Sequence, residues 1–150
     1  MAYTRAYYTE EVGAPAEEVW SLLGAFNCLP AILPKLVAKS EMDKTGLVRI
    51  LTIRDGKPYK RYEQLIRYDA PNRTLVYQLI DKQRSRVAVK NYIATIRVRK
   101  ITNRRCVVAW SGRFEQKHGT PKEVRSLVEG VYAAAIGGVK RKIGLKTRRN

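Results

Sequence analysis

Apolar positions recur along this chain in two periods, and the change from one to the other divides it into elements. Residues 3–12 are aromatic and β-branched enough to predict an opening strand. Gly13 and Ala14 then lead into Pro15, which suits the first position of a helix because an N–H there would have no helical partner. Glu17 and Glu18 fall in the first turn, where the helix dipole favours acids. Val19, Trp20, Leu22 and Leu23 supply an apolar face, and Gly24 marks its end. Between Pro30 and Pro34 there is room for a turn or two of helix.

From Val37 the period becomes two. Residues 46–53 alternate, with Leu47, Arg49, Leu51 and Ile53 on one parity. Asp55-Gly56 is a hairpin turn signal, and residues 57–68 form the next predicted strand. Ala70-Pro71-Asn72 turns the chain again. Leu75, Tyr77 and Leu79 share one face of a further strand, and residues 83–86 read as a basic turn. Tyr92, Ala94, Ile96 and Val98 line one face of the following strand, with Arg97 and Arg99 on the other. After Thr102-Asn103, Cys106, Val108, Trp110, Gly112 and Phe114 share the inner face of the last strand.

The helical period returns at Thr120. Thr120, Pro121 and Glu123 spell a capping box with proline in the first helical position. Val124, Leu127, Val128, Val131, Ala135 and Val139 then recur at helical spacing, which predicts a helix to about residue 145, roughly 37 Å long. The predicted class is α+β: a strand, two short helices, about six antiparallel strands and a long C-terminal helix. That helix is poor in bulk at its centre, where Ala133, Ala134, Ala135, Gly137 and Gly138 either let the sheet approach closely or leave a pocket.

With 150 residues the chain has room for one sizeable core and is read as a single domain over residues 1–150. An apolar fraction of 45 % is ordinary and argues against disorder. Charge changes the picture more. The net is +17, from 30 Lys and Arg against 13 Asp and Glu. Residues 1–75 carry +2 of it and residues 76–150 carry +15. Such a surface attracts polyanions, nucleic acid or anionic lipid alike, without saying anything about fold. Arg97, Arg99, Arg104, Arg105, Arg113 and Lys117 fall on outward parities or turns, and Lys140, Arg141, Lys142 and residues 146–149 add a second cluster. The excess reads either as a docking face or as a solvated surface, native or deliberately recharged. No interleaved aromatic residues are evident on that outward set, which argues against sequence-specific binding. Cys28 and Cys106 are the only cysteines, without CxxC spacing, and are expected to be buried thiols of a cytoplasmic protein. No run of about 18 apolar residues is present, and residues 1–8 lack a signal-peptide core.

The ordered set Ala14-Pro15-Ala16-Glu17-Glu18-Val19-Trp20, Asp55-Gly56, Tyr62-Glu63-Gln64-Leu65, the Asp69 turn, Leu75-Val76-Tyr77, Asn91-Tyr92 and Val108-Ala109-Trp110-Ser111-Gly112-Arg113-Phe114 resembles the START-like (SRPBCC) superfamily over nearly the whole chain. Its polyketide cyclase/dehydrase-like branch looks nearest, and the plant abscisic acid receptors look like more distant relatives. The resemblance implies a helix-grip fold, a curved antiparallel sheet of about seven strands around the long C-terminal helix, with an apolar ligand pocket between them. It places Lys39, Leu51, Ile53, Glu63, Tyr77, Leu79, Tyr92, Ala94 and Trp110 on the sheet side of that pocket, and Leu127, Val131 and Ala135 on the helix side. It makes Lys39 similar to the lysine that meets a ligand carboxylate in the receptors, and Glu63 similar to their water-binding acid. Two departures argue against a hormone-type latch: Arg54-Asp55-Gly56-Lys57-Pro58 stands where the receptors have their gate loop, and Ala135 where they have a helix asparagine.

Periodicity disagrees with the resemblance at Glu63. Tyr62, Ile66 and Tyr68 make the even parity the more apolar, which would leave Glu63 on the surface with Arg61 and Arg67. Tyr77, Tyr92 and Trp110 are consistent with pocket lining and with plain core packing. His118 stands alone in a loop and suits neither catalysis nor a metal cluster. No Gly-x-Ser-x-Gly elbow, zinc spacing or phosphate loop is present. The expected function is a binding module for a small hydrophobic or amphipathic molecule, with no cofactor and no metal. The alternatives are a cyclase- or dehydrase-like enzyme using Glu63, Lys39 or a tyrosine as acid–base, and nonspecific binding of nucleic acid or an anionic membrane through the basic surface.

Overall fold

The computed structural model describes residues 3–80 and 88–144. Strand β1 (Thr4–Val12) is followed by helices α1 (Ala16–Leu23) and α2 (Leu29–Ile32). Six strands come next: β2 (Val37–Met42), β3 (Val48–Ile53), β4 (Tyr59–Asp69), β5 (Thr74–Ile80), β6 (Val89–Thr102) and β7 (Arg105–Gln116). Helix α3 (Pro121–Lys142) closes the described chain. The seven strands form one antiparallel curved sheet in the order β1-β7-β6-β5-β4-β3-β2, the helix-grip arrangement. The expected basic turn at residues 83–86 lies outside the described residues.

The sheet's inner face and α3 make the core. Alternation fills that face from β5, β6 and β7, where Leu75, Tyr77, Leu79, Ala94, Ile96, Val98, Cys106, Val108, Trp110 and Phe114 are all buried. Thr120 caps α3 as expected: its side chain accepts from the Glu123 N–H, and the Glu123 carboxylate accepts from the Thr120 N–H. The helix stops at Lys142, short of the expected residue 145, because Gly144 takes a left-handed turn at φ 83°. The exposed edge of β1 is not left bare. The Arg5 carbonyl accepts from Arg125 Nε and the Tyr7 N–H donates to Glu129, both from α3.

Of four register shifts in the sheet, the last of them at the β6–β7 end between Lys100 and Thr102, three set which side chains face the core. In β2, Val37 pairs with Ile53 but Lys39 pairs with Thr52, so Ala38 is an extra residue. In β4, Leu65 pairs with Tyr77 but Arg67 pairs with Val76, so Ile66 is extra. In β6, Lys90 pairs with Glu115 but Ile93 pairs with Arg113, and Asn91 takes φ 54° at the irregularity. Each bulge reverses the parity of the residues beyond it.

Small residues in α3 serve close approach on the side of α2. A Cβ on Gly138 would lie 1.8 Å from the Ile32 carbonyl oxygen, so α2 can rest here only on a bare backbone. Among the described residues no helix is long and apolar enough to cross a membrane.

Candidate functional site

Between the sheet's inner face, α2 and α3 lies a cavity of about 390 Å³. Its walls are largely aliphatic: Leu29 comes from α2 and Leu33 from the residue that ends it, Leu51 and Ile53 from β3, and Val128 and Val131 from α3. Arg54 and Asp55, in the turn after β3, stand at its edge. Two polar groups of side chains interrupt the apolar lining.

The first is charged. Arg49 on β3 and Glu63 on β4 are paired in register and both project inward. Arg61 projects to the same side, two residues before Glu63. Arg49 Nε donates to Glu63 Oε1 at 2.8 Å, and Arg61 Nε donates to Glu63 Oε2 at 2.6 Å. Arg49 Nη1 donates to the Phe26 carbonyl at 2.7 Å. Aromatic rings cover the guanidiniums: Arg49 Cζ lies 4.1 Å from the Phe26 ring centre and 4.8 Å from that of Tyr77, and Arg61 Cζ lies 5.3 Å from that of Tyr92. Burial pushes the Glu63 carboxyl up, but the two guanidiniums outweigh burial and hold it below its ordinary value.

The second group is a run of hydroxyls. Trp110 Nε1 donates to Tyr77 Oη at 3.1 Å. Tyr77 Oη lies 3.4 Å from Tyr92 Oη, which in turn lies 2.5 Å from Tyr132 Oη. Tyr132 stacks on Trp110 with ring centres 5.0 Å apart. Gly112 makes this meeting possible, since a Cβ there would stand 2.3 Å from Tyr132 Oη. Burial pushes the phenols of Tyr77, Tyr92 and Tyr132 above their ordinary value, so all three are neutral donors. Three hydroxyl hydrogens serve two O···O links, which leaves one for a partner.

Of the residues expected at the pocket, Leu51, Ile53, Glu63, Tyr77, Tyr92, Trp110, Leu127 and Val131 line this cavity. Leu127 does so at its mouth, where the residue is 60 % exposed. Leu79, Ala94 and Ala135 are buried beside it and contribute packing rather than lining. Lys39 is a correction. The bulge at Ala38 turns it to the outer face, where its side chain is 60 % exposed and pairs with Glu41 at 3.1 Å. Glu63 resolves the disagreement between resemblance and periodicity: it faces inward and is 3 % exposed.

The principal residues missed were Arg49, Arg61 and Tyr132. The signal for the arginines was present, since Arg49 shares a parity with Leu51 and Ile53, and Arg61 shares one with Glu63. Tyr132 sits one helical turn after Val128 on the same face of α3. Cys28 and Cys106 are free thiols, Cys28 half-buried and Cys106 buried, and burial raises both above the ordinary thiol value. His118 is exposed in the loop before α3. Among the described residues no three His, Cys, Asp or Glu side chains gather as metal ligands would.

This arrangement is better suited to holding a molecule than to moving a proton. A carboxylate held by two guanidiniums is a weak base, and neutral buried phenols donate hydrogen bonds but resist ionisation. The groups offered to the cavity are hydrogen-bond donors set in an apolar wall.

Comparison with known proteins agrees with the geometry. The chain is 29 % identical over 150 residues to S-norcoclaurine synthase 2 of Coptis japonica, a match covering 95 % of this chain and 76 % of that one. Among solved structures, the protein XoxI from Bacillus cereus superposes with a TM-score of 0.82 at 29 % identity, covering 99 % of this chain and 100 % of that one. Norcoclaurine synthase from Thalictrum flavum, solved with dopamine and hydroxybenzaldehyde, superposes with a TM-score of 0.76 at 23 % identity, covering 99 % and 90 %. The family model for polyketide cyclase/dehydrase and lipid transport proteins matches residues 3–144, and the chain therefore belongs to that family, within the SRPBCC superfamily.

Proposed function

We propose that this protein is a single helix-grip domain that binds a small amphipathic molecule in the cavity between sheet and α3. The observation that carries the reading is the cavity itself: about 390 Å³ lined mainly by aliphatic and aromatic side chains, with hydrogen-bond donors from Arg49, Arg61 and the tyrosine run converging on it. Similarity to proteins that hold aromatic amines and aldehydes, or whose family includes lipid transport, supports a ligand of this size and polarity. The locked state of Glu63 favours binding over acid–base turnover. The free thiols suit a reducing, cytoplasmic setting.

Native mass spectrometry of the purified protein, with thermal shift against fatty acids, sterols and aromatic polyketides, tests this. A ligand at a hundred times its Kd adds about 2.7 kcal/mol of stability and raises Tm by several degrees. Val131→Trp, which fills the cavity from α3, should abolish the shift while the protein still melts cooperatively. If nothing co-purifies and nothing in the panel stabilises the protein, the cavity is a packing defect and the reading fails.

The outer face of the sheet favours a second activity, separate from the first. Arg5 and Arg113 stand opposite each other across β1 and β7, and Arg97 and Arg99 extend the row along β6, all exposed. Tyr3 and Tyr7 flank Arg5 on the same face, 46 % and 59 % exposed, which supplies aromatic residues that the parity reading had not placed there. We infer weak, sequence-blind adsorption of polyanions, with log Kd rising linearly with log salt. Binding to single-stranded DNA or anionic vesicles that ignores salt, or no binding at about 20 mM salt, where exposed charges are little screened, overturns it.

A further inference from the structure

The charged cluster carries an imbalance that the cavity's apolar walls cannot offset. Arg49 and Arg61 bring two positive charges and Glu63 one negative, while Arg54 and Asp55 at the edge cancel. Arg49 and Glu63 are almost wholly enclosed, with side chains 3 % and 4 % exposed. A net buried charge is costly unless something pairs with it.

The hydrogen bonds locate the shortfall on one atom. Arg49 has three nitrogens. Nε is taken by Glu63 and Nη1 by the Phe26 carbonyl. Nη2 lies 2.7 Å from Glu63 Oε1, yet it has no acceptor in hydrogen-bonding geometry. A guanidinium bonds only in its own plane, and the Phe26 and Tyr77 rings pack against this one with centres 4.1 and 4.8 Å from Cζ. An acceptor approaching Nη2 in that plane would satisfy it. Arg49 lines the cavity.

We propose that the molecule held in this cavity is a monocarboxylic acid, its carboxylate meeting Arg49 Nη2 and its apolar body lying along Leu51, Val128 and Val131. A carboxylate is planar, brings a single negative charge and presents its lone pairs in plane, so it corrects both the charge and the orphaned donor. This rests on the reading of the cavity as a ligand site and narrows it to a substrate class. It also moves the anion-binding role from the expected Lys39, which faces solvent, to an arginine on the neighbouring strand.

The experiment compares acids with their neutral isosteres by isothermal titration calorimetry at pH 7 on the full chain. The probes are 2-naphthoate against 2-naphthamide, and decanoate against decanamide. The acids should bind with one-to-one stoichiometry at least tenfold more tightly than the amides. Arg49→Met should remove the difference, bringing acid affinity down to that of the amide. Glu63→Gln, which removes the competing carboxylate and keeps both guanidiniums, should widen the acid-to-amide ratio, an effect that loss of structure would not produce. Should Arg49→Met fail to fold, the wild-type ratio and the Glu63→Gln change decide. Amides that bind as tightly as acids overturn the carboxylate assignment and leave the ligand site standing. The same acid preference in folded Arg49→Met also overturns it, since the basic surface would then be the source. If neither acids nor amides bind, the ligand site itself falls, and this assignment with it.

Discussion

Arg49 and Glu63 are directly opposed across β3 and β4, and their side chains meet on the inner face, where Arg49 Nη2 lies 2.7 Å from Glu63 Oε1. Removing one partner leaves an uncompensated charge out of water. Glu63→Gln should therefore cost about 3–5 kcal/mol in urea unfolding, whereas replacing both residues, Arg49→Met with Glu63→Gln, should cost less than the single changes add up to. The double-mutant cycle measures the difference. A Glu63→Gln cost below about 1 kcal/mol would mean that water reaches the pair freely.

The same pair shapes the response to acid. The Glu63 carboxyl sits below its ordinary value of 4.5 in the folded protein and near it in the unfolded chain. The unfolded state thus takes up its proton first. Stability contributed by Glu63 is complete above 4.5 and declines as pH falls toward the lower folded value. Glu10, Asp43 and Asp69 are also lowered and add to the same acid limb. The informative quantity is the difference between wild type and Glu63→Gln, followed by urea titration from about pH 6 to about pH 3, which spans the carboxylate range. The wild-type curve should fall more steeply across this window; parallel curves would show that Glu63 does not titrate differently on folding.

How much of this was legible in the sequence depends on whether a strand runs unbroken. In β5, β7 and most of β6 the period of two holds, and Tyr77, Tyr92, Ala94 and Trp110 faced inward as the alternation required. In β4 the alternation was counted through a bulge. Tyr68, beyond Ile66, pairs with Leu75 and packs 5.5 Å from the Trp20 ring, so its apolar character says nothing about the side on which Glu63 stands. Family resemblance placed Glu63 at the pocket without counting through the bulge, and the structure has it facing inward. It failed at Lys39, where the extra Ala38 sends the lysine outward and gives the inward place to Ser40, which pairs with Leu51. A bulge is a tertiary decision with little local signature unless a glycine or asparagine marks it, as Asn91 does in β6. The buried arginines were missed for a different reason: two positive side chains on an inward parity make sense only once the acid between them is known to be buried.

The tyrosine run predicts an incomplete phenol titration. Of nine tyrosines, Tyr77, Tyr92 and Tyr132 are buried with raised values. Their folded values exceed the unfolded value of 10.0, so the stability they contribute is present below that pH and is lost as pH climbs through the folded values. Absorbance at about 295 nm, where the phenolate absorbs, should show these three silent until the protein unfolds in alkali, and then titrating together with the loss of the fold. Nine tyrosines ionising smoothly around pH 10 in a still-folded protein would mean that the run is open to water.

Two glycines of α3 should answer to alanine with opposite sign. Gly130 is exposed, and a Cβ there would meet nothing within 4 Å. Gly130→Ala lowers the entropy of the unfolded chain and should add about 0.4–1 kcal/mol. Gly138 faces the Ile32 carbonyl, where the added Cβ would fall at 1.8 Å against backbone that cannot rotate away. Gly138→Ala must push α2 off α3, and overpacking of this kind costs about 1–3 kcal/mol or more. The consequence reaches the cavity, because α2 and the residue that ends it place Leu29 and Leu33 on its wall. Thermal melts of the two variants give the sign of each change, and ligand titration of Gly138→Ala gives the link to the site. Stability lost and affinity weakened together is the expected result. A Gly138→Ala protein as stable as Gly130→Ala would show that α2 does not rest on that glycine.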